Sequence, residues 1–89
     1  MKTIEGFILR KLGREYVIVG EGLAQVNFNK MIALNDSAAY LWQSVEGKDF
    51  TVAELVDLLL EKYEVEREVA ESDAAALAKA WVEAGIVSE

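Results

Sequence analysis

The chain has 89 residues, 53% of them hydrophobic, with no cysteine, no histidine and a formal net charge of −7. That length leaves room for one domain, residues 1–89, with one core. The missing cysteine excludes disulfides and thiolate metal sites, and the missing histidine removes the commonest general base and the commonest metal ligand.

Most small-enzyme mechanisms fall with those two absences, so no catalytic residue, metal or cofactor is expected. The opening Met1-Lys2-Thr3-Ile4-Glu5-Gly6 lacks the apolar stretch of a signal peptide. No run approaches the ~20 apolar residues of a membrane span. The cytoplasm is the default location, and no membrane partner is expected. Charge is split along the chain: residues 1–34 carry a balance of +2 and residues 35–89 a balance of −9. The acidity keeps a protein soluble and repels phosphate backbones, so no nucleic-acid partner is expected either.

The first elements read as strands. Phe7-Ile8-Leu9-Arg10-Lys11-Leu12 and Tyr16-Val17-Ile18-Val19 flank Gly13-Arg14-Glu15, a hairpin signal. The second of these is apolar at four positions in a row. That pattern predicts cover on both faces, by other segments or by a second copy. Gly20 and Gly22 break it. Gln25-Val26-Asn27-Phe28-Asn29 then leads into a third strand, Lys30 to Leu34.

Three helices follow. Asn35-Asp36-Ser37 supplies N-cap residues for a helix from Asp36 to Val45, with Ala38, Leu41, Trp42 and Val45 as its apolar stripe and Gly47 at its end. Thr51 and Glu54 form the Thr-x-x-Glu capping box of the second. Its stripe is Val52, Leu55, Val56, Leu59 and Tyr63, widened by Leu58 and Leu60, which predicts cover on more than one side. The third runs from about Glu66 to Ala84 and stops at Gly85, with acidic residues complementing its positive end. Its expected apolar face holds Val69, Leu77 and Trp81, with Ala70, Ala74, Ala80 and Ala84 beside them. Ile86 and Val87 form a short apolar tail. Strands followed by helices predict an α+β fold: winged-helix-like, a three-stranded antiparallel sheet followed by three helices.

A longer pattern crosses these elements: Leu34-Asn35-Asp36-Ser37-Ala38-Ala39-Tyr40-Leu41-Trp42, then Val45-Glu46-Gly47, Phe50-Thr51-Val52, Tyr63, Asp73, Leu77 and Gly85-Ile86. It resembles the PqqD-like family, named for the pyrroloquinoline quinone synthesis protein D and also known as precursor-peptide recognition elements. Ala38 stands where that family usually has glycine. The resemblance implies a non-catalytic module that holds the leader segment of a ribosomally made precursor peptide. The leader would lie as an added strand along the third strand, against the third helix. The module would present it to a modifying enzyme, often a radical S-adenosylmethionine enzyme.

On these residues the candidate peptide-binding set is Lys30, Met31, Ile32, Ala33 and Leu34 on the strand, and Asp73, Ala74, Leu77, Ala78 and Trp81 on the third helix. Strand addition needs an unpaired edge, because the affinity comes from backbone hydrogen bonds. Taken without the resemblance, Lys30 reads equally as the charge that protects a plain sheet edge. Ile32 and Leu34 should face the core, and Met31 and Ala33 the other side. Ala74 and Ala78 would keep the helix surface low enough for a peptide backbone to approach, although alanine is also simply the best helix former. Asp73 falls on the apolar stripe, where a carboxylate is costly unless paired or solvated. It either accepts a bond from the peptide or pairs with a hydroxyl, amide or base of this chain. Trp42 reads as core and Trp81 as a border of the groove.

The competing reading is a winged-helix DNA-binding transcriptional regulator, which the acidic second and third helices argue against. The broad apolar cover on the second strand and second helix permits a homodimer without requiring one.

Overall fold

The computed structural model describes residues 1–20 and 31–89. The expected strand start at Lys30 and the stretch 25–29 lie outside the described residues. In chain order the elements are β1 (Lys2–Thr3), β2 (Phe7–Leu12), β3 (Glu15–Gly20), β4 (Met31–Leu34), α1 (Asp36–Val45), α2 (Val52–Lys62), α3 (Arg67–Glu83) and β5 (Val87–Ser88). The fold is α+β, with an antiparallel sheet in the order β2-β3-β4 ahead of three helices.

The β2–β3 hairpin turns through Gly13 and Arg14, with Leu12 opposite Glu15. Gly13 has φ +63°, as the first residue of a two-residue hairpin loop requires, and a side chain there would meet nothing within 4 Å. The need for glycine is therefore conformational. Cross-strand register aligns Leu9, Ile18 and Ile32 in one row, and Tyr16 sits opposite Leu34. This face is turned to the core: Ile18 is fully buried, and Leu9, Ile32 and Leu34 pack against the core cluster. On the opposite face Val17 is also buried, so β3 is covered on both sides as its apolar run predicts.

The helices close the core. Asn35 caps α1 by accepting the Ala38 N–H at 2.8 Å. Thr51 caps α2 through Glu54 N–H at 3.1 Å. The exposed Glu54 carboxylate returns no bond to Thr51, so only half of the expected capping box forms. Ala38, Leu41, Trp42 and Val45 of α1 and Leu55, Val56 and Leu59 of α2 are buried. Trp42 and Trp81 meet edge to face, with centroids 5.3 Å apart, and Phe50 packs edge-on against Trp81.

Two short strands have no local signature. Gly85, at φ +79°, turns the chain after α3 so that Ile86 and Val87 come back against residues 2–4. Thr3 pairs with Val87, and its hydroxyl accepts the Gly47 N–H at 2.9 Å. The tail read as merely apolar is thus a strand, held by β1, which in turn is fastened to the turn after α1.

Candidate functional site

β4 is the outer strand of the sheet. Among the described residues, no strand pairs with its far edge. The hairpin decides which backbone groups that edge offers. A two-residue turn closes on the bond between Leu12 C=O and Glu15 N–H, and antiparallel pairs alternate from there between bonded and non-bonded. Glu15, Val17 and Val19 therefore bond to β2, while Tyr16 and Ile18 bond to β4. Their partners Leu34 and Ile32 are thereby satisfied. The N–H and C=O of Met31 and Ala33 are left aimed at the open edge. The same alternation turns Ile32 and Leu34 side chains to the core and leaves the Ala33 side chain exposed.

A cleft opens where β4 gives way to α1. It has a volume of about 420 Å³, bounded on one side by Asn35, Ser37, Ala38 and Leu41, below by Leu59, and on the other side by Asp73, Ala76, Leu77 and Ala80 of α3. A second cleft of about 450 Å³ shares Asn35, Ser37, Leu59 and Asp73, and extends past Asp36 to Tyr63 and Val65. The surface is mostly apolar, with side-chain oxygens at Asn35, Ser37 and Asp73.

Across this surface the predicted site residues divide. Leu77 is half-buried and lines the cleft, and Asp73 is exposed at its rim. Ala74 is 0% and Ala78 3% exposed, and Trp81 is 2% exposed. These three were expected on the groove wall; their side chains point into the core instead. Of the expected apolar face of α3, Ala70, Ala74 and Trp81 are buried and Leu77 is half-buried. Ala70, Ala74, Ala78 and Trp81 form the buried stripe, while Val69 is 47% exposed. The cleft wall lies one residue out of phase with that stripe, at Asp73, Leu77 and Ala80, with Ala76 alongside. Asp73 makes no hydrogen bond or ion pair among the described residues. Of the two readings open for it, the described residues supply no internal partner, and the carboxylate stands exposed at the cleft rim. Asn35, Ser37, Ala76 and Ala80 were not among the expected site residues. Asn35 was legible only as a cap, and its second lone pair accepts the Ser37 hydroxyl at 3.1 Å.

The sequence model of the family described as coenzyme PQQ synthesis protein D matches residues 8–87. The chain belongs to this family. The match runs from within β2 to the first residue of β5, and so takes in all of the three-stranded sheet but Phe7 and all three helices. No curated protein sequence matches the chain. Two solved structures share the fold of this PqqD-family chain at a TM-score of 0.73 each. One is TbiB1 in complex with the TbiA(beta) leader peptide, 19% identical, with 100% of each chain covered. The other is a lasso peptide synthetase B1 complexed with the leader peptide, 25% identical, covering 99% of this chain and 96% of that one.

Proposed function

We propose that residues 1–89 form one recognition domain that captures the leader segment of a ribosomally made precursor peptide as an added strand on β4. It then presents that peptide to a modifying enzyme, acting in the cytoplasm as a binding protein without catalysis of its own. The observation that carries this reading is the outer edge of β4, where no described residue pairs with the backbone groups of Met31 and Ala33, beside an apolar cleft walled by α3. Family membership supports it, and so do the leader peptides bound to the two similar structures.

In the bound state the leader backbone would donate to and accept from Met31 and Ala33, at alternate residues. Side chains on one face of the leader would enter the cleft against Leu77, Ala76 and Ala80. Asp73 would accept a hydrogen bond from a hydroxyl, amide or basic side chain of the leader. The enzyme then receives a peptide whose leader is held straight, with its remaining segment free. A radical S-adenosylmethionine maturase is the partner class that the family resemblance suggests.

Titration of the isotope-labelled protein with the precursor peptide encoded beside its gene tests this. Saturable amide shifts concentrated on 31–34, 35–37 and the Asp73–Ala80 face of α3 are expected. Saturable shifts confined to the β1–β5 side of the molecule would refute the groove.

A further inference from the structure

The hairpin tip carries a second cavity whose chemistry differs from the cleft. It has a volume of about 550 Å³ and lies between the β2–β3 turn, α1 and the end of α2. Its lining contains three of the chain's nine basic residues, Lys11, Arg14 and Lys62, and all three of its tyrosines, Tyr16, Tyr40 and Tyr63. Asp36 is the single carboxylate in that lining. In a chain of net charge −7 this is a local excess of positive charge. The Lys62 ammonium lies 4.2 Å from the Tyr40 ring centroid, and the Lys11 ammonium 5.6 Å from that of Tyr16. The rings hold the stems of the lysines without neutralising them. None of the three cations forms an ion pair among the described residues.

This cavity is continuous with the groove. Asp36 and Tyr63 line both it and the second cleft. A depression lined by Arg14, Glu15, Ala33, Leu34, Asn35 and Asp36 joins the hairpin tip to the end of β4, with the Glu15 and Asp36 carboxylates on the way to the three cations. A chain extended along β4 and leaving past Leu34 would run directly onto the basic surface. The two parts of the path have opposite preferences: the cleft presents the Asp73 carboxylate, and the far end presents Lys11, Arg14 and Lys62.

We propose that the tyrosine-lined basic cavity extends the leader groove and holds an acidic stretch of the precursor peptide lying just outside the strand-added segment. The inference rests on the strand-addition reading and adds a charge pattern to it. The peptide has a donor side chain opposite Asp73 and aspartate or glutamate on the flank that leaves at Leu34. The carboxylates would take charge-assisted bonds from Lys11, Arg14 and Lys62 within the aromatic surround.

The test is a selection from a random 20-residue peptide library against the wild-type protein and against K11E/R14E/K62E. The three positions are exposed, and an unchanged amide spectrum outside the cavity would establish that the variant is folded. Binders with an apolar extended segment and acidic residues on one constant flank are expected from the wild type. From the variant the same apolar segment should emerge with that flank no longer acidic, and wild-type binders should lose about tenfold or more in affinity for it. Groove binders with no acidic flank, or a flank unchanged in the variant, would overturn the inference while leaving strand addition intact. A library that yields no peptide competing for β4 would remove the strand-addition reading, and the inference with it.

Discussion

Asp73 and Trp81 stand on the same helix, eight residues apart, and show how little separates a groove residue from a core residue. The Asp73 side chain is exposed and has no bonding partner among the described residues, so removing its carboxylate should cost little stability. D73A is expected to change unfolding free energy by less than ~0.5 kcal/mol, as surface changes usually do. The same substitution should weaken precursor-peptide binding by about tenfold, since bonds to charged groups are worth ~1.5–3 kcal/mol. Calorimetric titration beside a denaturant melt separates the two effects. A large loss of stability with unchanged affinity would return Asp73 to a structural role.

Trp81 behaves oppositely. Its ring is buried against Trp42 and Phe50, and both indole N–H groups lie buried with no hydrogen-bond partner among the described residues. An orphaned buried donor costs roughly 1–3 kcal/mol, which the edge-to-face ring contact offsets in part. Trp81→Ala should destabilise by ~3–5 kcal/mol. Trp81→Phe, which deletes the orphaned donor and leaves a smaller void, should cost clearly less in the same melt. The sequence showed a tryptophan at helical spacing near the helix end; it did not show which side it faced. Six alanines lie between residues 70 and 80 of this helix. With small apolar residues on several faces, the hydrophobic period that orients a helix is weak: Ala70, Ala74 and Trp81 are buried as the stripe predicts, but Val69 is exposed and Ala78 takes its place.

At the level of elements, periodicity was informative wherever side chains contrasted. α1 and α2 begin at their expected caps, Asn35 and Thr51; α1 buries its expected stripe, and α2 buries Leu55, Val56 and Leu59 with Val52 and Tyr63 half-buried. Replacing the α2 cap, Thr51→Ala, should cost about 1 kcal/mol in a denaturation experiment, as loss of a capping hydroxyl commonly does. β1 and β5 escaped notice because each is two residues long and their partners are more than eighty positions away, a pairing with no local imprint. For β4, alternation alone put Ile32 and Leu34 on the core side, but identifying the open N–H groups required the register through β3. That register makes a sharp prediction for the edge. Ala33→Pro removes a free N–H and leaves the β3–β4 ladder unbroken, which edge strands tolerate. The variant should keep its fold by circular dichroism and lose precursor binding by tenfold or more. Ile32→Pro, which removes a ladder bond, should unfold the sheet edge instead.

Over the described residues, the fold sets the outer edge of β4, the apolar clefts beside it and the basic cavity next to one another. Composition set aside most small-enzyme mechanisms, and the expectation of peptide binding came from the family resemblance. The overall α+β order was legible from strand and helix signals, and the chain's place in its family from the pattern between Leu34 and Ile86. This arrangement was not legible, because it is assembled from the ends of elements that are distant in sequence. Asn35 and Ser37 follow β4, Leu59 and Tyr63 close α2, and Asp73 and Leu77 lie midway along α3.

The central claim is strand addition at β4, and hydrogen–deuterium exchange read amide by amide tests it most directly. In the free protein the Ile32 and Leu34 amides should be protected by the ladder, while the Ala33 amide exchanges rapidly. Saturating precursor peptide should protect Ala33, together with Met31, and leave Ile32 and Leu34 little changed. Binding that leaves Ala33 exchanging at its free rate would contradict strand addition, whatever the affinity of the complex.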